Sequence, residues 1–155
     1  MSCLWWTFDR PGRGATAAGL LDTSTVILLP RLRAADELPD APLISAITLA
    51  ELSVGPLVAA TDAERAARLA HLQQAEADFE PLPFDADAAR AFGQVAASLR
   101  RAGRKPSVRA YDAMIAAIAI ANELPLYTCN PDDFIGIDGL EVVAMAHPDQ
   151  RTPTL

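Results

Sequence analysis

The clearest feature of the hydrophobic pattern is a run of nine consecutive apolar residues between Asp112 and Asn122. A segment that is apolar on every side predicts a helix buried all round. The short apolar segment at 124–127, which contains Pro125, has the length and composition of a buried parallel strand. Asp112 is the only ionisable group at the start of an otherwise dry helix, so it is the first candidate for chemistry.

The rest of the chain alternates between short apolar segments and longer segments with helical spacing. We predict further strands at 19–22, 43–45 and 140–145, and an edge strand at 79–84, which contains two prolines. We predict a short helix and loop within 26–38, and helices at 48–58, 62–78 and 85–102, the last capped by Asp85 and closed by Gly103. For the helix at 62–78, the face that we expect to be buried comprises Ala66, Leu69, Ala70, Leu72 and Ala77. Strands that alternate with helices predict an α/β fold with a mainly parallel sheet and helices on both faces.

Length and composition fit one globular domain. The chain has 155 residues, 51% of them hydrophobic, and no apolar run approaches the ~20 residues of a membrane span. We expect residues 1–18 to be a disordered extension, 19–146 the domain and 147–155 a polar tail. The two cysteines, Cys3 and Cys129, form no metal-type pair, so a reducing compartment and a cytoplasmic location are expected.

Net charge limits how this chain can meet nucleic acid. A formal charge of −7 argues against binding through bulk positive charge, although a local basic patch or a metal-bridged contact stays possible. Such a patch exists within ten residues, and its members are Arg100, Arg101, Arg104, Lys105 and Arg109. This cluster is either a solvated helix end or an RNA-backbone contact, for which we single out Arg101 and Arg104.

Acidic residues stand where predicted strands end or helices begin. Asp22 ends the first strand, Glu51 lies early in the helix after the second, Asp112 opens the buried helix, and Asp132 and Asp133 follow the fourth strand. Because ligands bind beyond the carboxyl ends of parallel strands, several of these acids are expected to meet in one cleft. Crowded carboxylates raise one another's pKa, and a divalent cation reverses that cost. Oxygen-only sites of this kind suit Mg²⁺ or Mn²⁺ and the hydrolysis of phosphodiesters.

Each acid also has a purely structural interpretation. Asp22 can cap a helix after its strand. Glu51 can complete a capping box by accepting a hydrogen bond from the Thr48 amide. Asp112 can be stabilised by the helix dipole, and Asp132 and Asp133 can be ordinary turn residues. The acids are therefore informative as a set rather than one by one.

Three strings, LLDTSTVI, ISAITLAELSVG and YDAMIAAIAIANELPLYTCNPDDF, together with the spacing between them, resemble the PIN-domain ribonucleases. More narrowly, they resemble the VapC toxins of bacterial toxin–antitoxin pairs. The resemblance implies a three-layer α/β/α sandwich around a mainly parallel sheet. It also implies an Mg²⁺-dependent endoribonuclease in which Mn²⁺ can substitute, a VapB-like antitoxin, an RNA substrate and a homodimer.

The same resemblance assigns roles to individual residues. Asp22, Glu51 and Asp112 match the three core acids of the family, and Asp22 and Asp112 match its principal metal ligands. Asn130 stands where many members have a fourth acid, so the resemblance leaves that place to Asp132 or Asp133, and we take Asp133 as the fourth catalytic candidate. Thr128 matches a hydroxyl that positions water or phosphate, and with Asn130 it is a candidate substrate contact.

Two alternatives remain open at the level of sequence. Asn130 leaves room for a non-catalytic PIN-like binding module that has lost a competent metal site. A metal-dependent phosphatase on a similar sheet is the other, and it predicts turnover of small phosphomonoesters rather than RNA.

Overall fold

The computed structural model describes residues 17–32 and 37–150. Its strands are β1 (Ala18–Leu21), β2 (Ala41–Leu43), β3 (Leu126–Thr128) and β4 (Val142–Ala144). Its α-helices are α1 (Thr23–Leu28), α2 (Ala46–Val54), α3 (Asp62–Asp78), α4 (Ala86–Arg101) and α5 (Ala110–Ala121). Short 3₁₀ turns follow or precede them at Leu29–Arg31, Gly55–Val58, Pro106–Arg109 and Pro131–Phe134.

The four strands form one parallel sheet in the order β2-β1-β3-β4. β1 lies at the centre and pairs with β2 on one side and β3 on the other. The carboxyl ends of β1 and β3 are therefore neighbours. The residues that follow them, beginning at Asp22 and at Cys129, emerge at the same edge of the sheet.

Helices cover both faces of this sheet, which gives the three-layer α/β/α arrangement. Successive residues of a strand point to opposite faces. Leu20 accordingly joins a buried cluster with α4 and α5, whereas Leu21 joins a second cluster with residues of α1, α2 and α3. The expected α/β sandwich with a mainly parallel sheet is confirmed.

Helix α5 is the buried helix that the sequence predicted. Ala113 and every residue from 115 to 119 are fully buried. It begins at Ala110, two residues before Asp112, so this acid lies in the first turn. α4 also matches its prediction: Asp85 caps it by accepting a hydrogen bond from the Ala88 amide, and Gly103 ends it with a positive φ of 74°.

Three local predictions were wrong. β2 ends at Leu43 rather than 45, because Ser45 caps α2 and accepts a hydrogen bond from the Thr48 amide at 3.1 Å. α2 therefore begins at Ala46, which puts Glu51 in its second turn. The segment at 79–84 contributes one isolated bridge, between Leu82 and Ser45, and no strand, since a proline on each side of Leu82 removes the neighbouring amide donors.

The face of α3 that we expected to be buried is largely solvent-exposed. Ala66, Leu69, Ala70 and Ala77 are exposed, whereas Leu72 is half-buried and packs against the second core cluster. Ala75, which was not predicted, is the buried residue of that helix. In the described parts of the chain, no helix has the length and apolarity needed to cross a lipid bilayer. The predictions for residues 1–16 and 151–155 lie outside the described residues.

Candidate active site

Asp22 is held firmly at the exit of β1. Its side chain is 3% exposed. One carboxylate oxygen accepts a hydrogen bond from the Thr25 amide at 3.0 Å, so Asp22 does cap α1. The other oxygen accepts hydrogen bonds from the hydroxyls of Thr128 at 2.7 Å and Ser24 at 3.1 Å. The structural and the functional interpretations of Asp22 are therefore compatible.

Thr128 and Asn130 extend this network from the exit of β3. The buried Thr128 hydroxyl, which donates to Asp22, accepts a hydrogen bond from the Asn130 amide at 2.9 Å. The Asn130 side chain donates to the Ser24 hydroxyl at 3.0 Å. Asn130 thus reaches Asp22 through Ser24.

Glu51 faces the same edge from the second turn of α2. It accepts a hydrogen bond from the Thr23 hydroxyl at 2.7 Å, and the hydroxyls of Thr23 and Thr48 lie 3.0 Å apart. The capping box predicted for Glu51 is wrong, because Ser45 caps the helix instead. Burial raises the pKa of Glu51; the hydrogen bond from Thr23 opposes this shift, and repulsion from Asp22 adds to it.

Asp112 is the most perturbed acid of the cleft. Burial is the largest cause that raises its pKa to about 6, followed by repulsion from Asp133, Glu51 and Asp22; Arg109 works in the opposite direction. Repulsion of this kind requires the charges to lie close together. Four of the five acids that the sequence singled out therefore share one electrostatic environment at this edge of the sheet: Asp22, Glu51, Asp112 and Asp133.

Arg109, at the start of α5, is a feature of the cleft that the sequence analysis treated only as one of five cations. It forms an ion pair with Asp133, and its guanidinium lies 3.7 Å from an Asp112 carboxylate oxygen. Its position three residues before Asp112 was the available signal, because residues at this spacing face each other on a helix.

Two of the other basic residues, Arg101 and Arg104, hold the acidic loop in place. Arg101 forms an ion pair with Asp138 at 2.8 Å, and Arg104 donates to the backbone carbonyls of Ile135 and Asp132. The Asp132 side chain is exposed, and it is absent from the interactions that connect the other acids.

The donor chemistry of the cleft fits a hard divalent cation, because the groups that converge there are carboxylates and hydroxyls. In the described ranges, no three acidic, His or Cys side chains stand close enough together to form a ready-made metal site. The guanidinium of Arg109 lies between two of the acids, Asp112 and Asp133.

Comparison with known proteins identifies the family of this chain. The PIN domain family model matches residues 19–140. The chain is 46% identical over 125 residues to Ribonuclease VapC5 of Mycobacterium tuberculosis, an alignment that covers 79% of this chain and 90% of the relative. It is 29% identical over 133 residues to Ribonuclease VapC1 of Rickettsia felis, an alignment that covers 84% of this chain and 98% of the relative.

Solved structures give the same result. A member of the VapBC family of toxin-antitoxin systems, VapBC-5 from Mycobacterium tuberculosis, superposes with a TM-score of 0.72 and 39% identity over 83% of this chain and 99% of that one. DNA-bound VapBC from Salmonella typhimurium superposes with a TM-score of 0.62 and 28% identity over 81% and 96%. The chain therefore belongs to the PIN-domain family, and within it to the VapC group.

Proposed function

We propose that this chain is the toxin of a toxin–antitoxin pair and that it hydrolyses RNA phosphodiester bonds in the acidic cleft. The relatives from Mycobacterium tuberculosis and Rickettsia felis are named ribonucleases, and the structural neighbours are VapBC proteins. The observation that carries the proposal is the acidic edge of the sheet, where Glu51 bonds to Thr23 beside Asp22 and Arg109 contacts both Asp112 and Asp133. Burial and the neighbouring acids raise the pKa of Asp112 there to about 6. A fold tolerates such crowding where a cation offsets it.

Mg²⁺ is the cofactor we propose, with Mn²⁺ as a substitute. Asp22 and Asp112 would hold it, with Glu51 acting directly or through water and Asp133 as the fourth acid. When bound, the ion supplies positive charge for the phosphate and lowers the pKa of a coordinated water. The three hydrogen bonds to Asp22 fix this carboxylate before any ligand arrives.

In this proposal, Glu51 takes the proton from the attacking water. A general base works best when its pKa lies closer to the working pH, and burial moves the pKa of Glu51 in that direction. The hydroxyl of Thr23 fixes the orientation of the carboxylate at 2.7 Å. Proton removal by Glu51, together with the positive charge of a cation that Asp22 and Asp112 would hold, would account for hydrolysis without a covalent intermediate.

Substrate contacts are proposed at the rim of the cleft. Asn130 lies at this rim beside Ser24 and Asp22, where the RNA backbone would pass. Thr128 is fully buried and would act on the substrate through its hydrogen bond to Asp22. Arg101 and Arg104 anchor the loop that carries Asp133. The Arg101 side chain stays two-thirds exposed, and a guanidinium has more donors than its one ion pair uses.

An antitoxin would cover the exposed apolar residues of α1, α2, the following 3₁₀ turn and α3. These residues are Ile27, Val54, Leu57, Val58 and Leu69. Leu57 is 84% exposed, and apolar side chains clustered in this way mark protein interaction sites. We further propose a homodimer and a cytoplasmic location.

The test is to map new RNA 5′ ends in cells after brief expression of this chain. The cleavage is then repeated with purified protein, once with Mg²⁺ and once with EDTA. We expect discrete, Mg²⁺-dependent cuts that Asp112→Asn abolishes. Asp87→Asn is the matched control, because Asp87 lies on the exposed start of α4 and pairs with Arg90.

Three outcomes would contradict the proposal. Undiminished cleavage by folded Asp112→Asn would remove the acidic cleft from the reaction. Metal-dependent hydrolysis of small phosphomonoesters without RNA cleavage would favour the phosphatase, and metal-independent RNA binding without cleavage would favour the binding module that Asn130 suggests.

A further inference from the structure

Arg109 occupies a position in the cleft that the proposed chemistry leaves unexplained. Its guanidinium forms an ion pair with one Asp133 oxygen and lies 3.7 Å from an Asp112 oxygen. About a third of each of these three side chains is exposed. Arg109 therefore lies between the two acids while remaining open to solvent on one side.

The neighbouring cations do not share this position. Arg101 pairs with Asp138, and Arg104 binds backbone carbonyls of the 132–135 segment. Within the basic segment at 100–109, Arg109 is thus the residue that pairs with acids of the cleft. Its main chain is fixed at the junction between the Pro106–Arg109 turn and α5, so a released side chain would stay beside Asp112.

A guanidinium and a divalent cation cannot use the same carboxylate oxygens together. The guanidinium keeps its charge at any relevant pH, so it repels an incoming cation rather than giving way by losing a proton. It also donates N–H groups to lone pairs that metal ligation needs. Metal binding at Asp112 and Asp133 therefore competes with the Arg109 ion pairs.

We propose that Arg109 is an internal counterion, which a divalent cation displaces from Asp133 and Asp112 and which then binds a phosphate of the RNA. The freed guanidinium needs a new anionic partner, and its planar set of donors matches phosphate oxygens. The inference rests on the proposed function and adds an order of events to it: cation first, phosphate contact second.

The first experiment measures Mn²⁺ affinity by calorimetry on the full chain without RNA. Arg109→Gln removes the competing cation, so we expect it to bind Mn²⁺ about 5- to 10-fold more tightly than the unsubstituted chain. Arg90→Gln makes the same charge change at an exposed ion pair on α4 and should leave the affinity within about twofold. Equal or weaker Mn²⁺ binding by Arg109→Gln would overturn the inference and assign Arg109 a structural role.

Arg109→Lys keeps the measurement decisive if the glutamine variant fails to fold. A lysine ammonium is a compact, strongly hydrated charge without the fork geometry of arginine. It should hold the two carboxylates less well and give a smaller increase in Mn²⁺ affinity of the same sign. Unchanged affinity in a folded Arg109→Lys would contradict the proposed competition.

The second experiment measures the binding of a phosphorothioate single-stranded RNA by anisotropy, with Ca²⁺ and with EDTA. With Ca²⁺ we expect Arg109→Gln to weaken binding about 10-fold and to reduce its salt dependence; in EDTA, where the acids hold Arg109, the variant should match the unsubstituted chain. If Arg109→Gln weakened RNA binding equally with Ca²⁺ and with EDTA, the proposed transfer of Arg109 from the acids to the phosphate would be wrong. If the unsubstituted chain bound neither Mn²⁺ nor RNA, the proposed function itself would fail.

Discussion

The two sides of the acidic cleft are built on different physical principles. On one side, Asp22 is almost completely buried and accepts three hydrogen bonds from neutral donors. On the other, Asp112 is about a third exposed, and its one polar contact among the described residues is Arg109 at 3.7 Å. The pKa of Asp112 is raised to about 6, chiefly by burial and by its acidic neighbours.

Asp22 is thus a ligand candidate whose position is fixed by hydrogen bonds, whereas Asp112 is one whose charge is poorly compensated. Neutral donors orient the Asp22 carboxylate without competing for a cation, which is how a site is preorganised. Asp112 instead carries an electrostatic cost at neutral pH that Arg109 offsets in part and that a bound cation would offset further. The two acids are expected to be equally necessary for activity and to have opposite effects on the stability of the metal-free protein.

Asp22→Ala should have the largest effect. It leaves the Thr25 amide and the Thr128 hydroxyl, both buried, without their acceptor. We expect the free energy of unfolding to fall by about 2–3 kcal/mol and cleavage to fall about 10³-fold or more. Urea unfolding in EDTA and RNA cleavage with Mg²⁺ measure the two effects, and unchanged stability would show that Asp22 is not held as described.

The helix and sheet that support this cleft could be predicted, because the spacing of apolar residues along a segment indicates which of its faces is buried. The all-apolar sequence of α5 left few options other than a helix in the core, and the alternation of elements gave the parallel sheet. The acids at the exits of β1 and β3 then meet because parallel strands end at one edge. The position of Asp22 at the end of a strand, and that of Asp112 at the start of the buried helix, could therefore be predicted from the sequence.

The polar contacts were harder to predict, because several residues nearby offered the same chemistry. Ser45 and Thr48 are both good helix caps, and tertiary contacts decided for Ser45, which in turn freed Glu51 to meet Thr23. Arg109 was one of five similar cations. Its choice of Asp133 depends on where the 131–134 turn packs, which local sequence does not encode.

Removing the hydroxyl that joins β3 to Asp22 should have an intermediate effect. Thr128→Val preserves shape but removes a donor to Asp22 and the acceptor of the Asn130 amide. We expect a loss of about 1–2 kcal/mol in the free energy of unfolding and a 10- to 100-fold loss of activity, on the order of that seen when a ligand's supporting hydrogen bond is lost. Thr128→Ser keeps the hydroxyl and should restore most of both; if valine and serine behaved alike, the hydroxyl would not be what orients Asp22.

Asp112→Asn should have the smallest effect on stability and the opposite sign. The folded chain holds the Asp112 proton up to about pH 6, against an ordinary value of 3.8. Ionisation of Asp112 therefore costs nothing below about pH 4, and its full cost is present above about pH 6. Because the side chain is partly exposed and the variant also loses the Arg109 contact, we expect a gain of only about 1 kcal/mol at pH 7.

The pH dependence distinguishes this electrostatic cost from a change in packing. In urea unfolding with EDTA, the stability advantage of Asp112→Asn should vanish near pH 4, rise up to about pH 6 and then level off. With saturating Mn²⁺, the unsubstituted chain should be more stable than Asp112→Asn. The cation stabilises the chain that has the Asp112 carboxylate more than the chain that lacks it. A stability difference independent of both pH and Mn²⁺ would mean that packing, rather than charge, distinguishes Asp112 from Asp22.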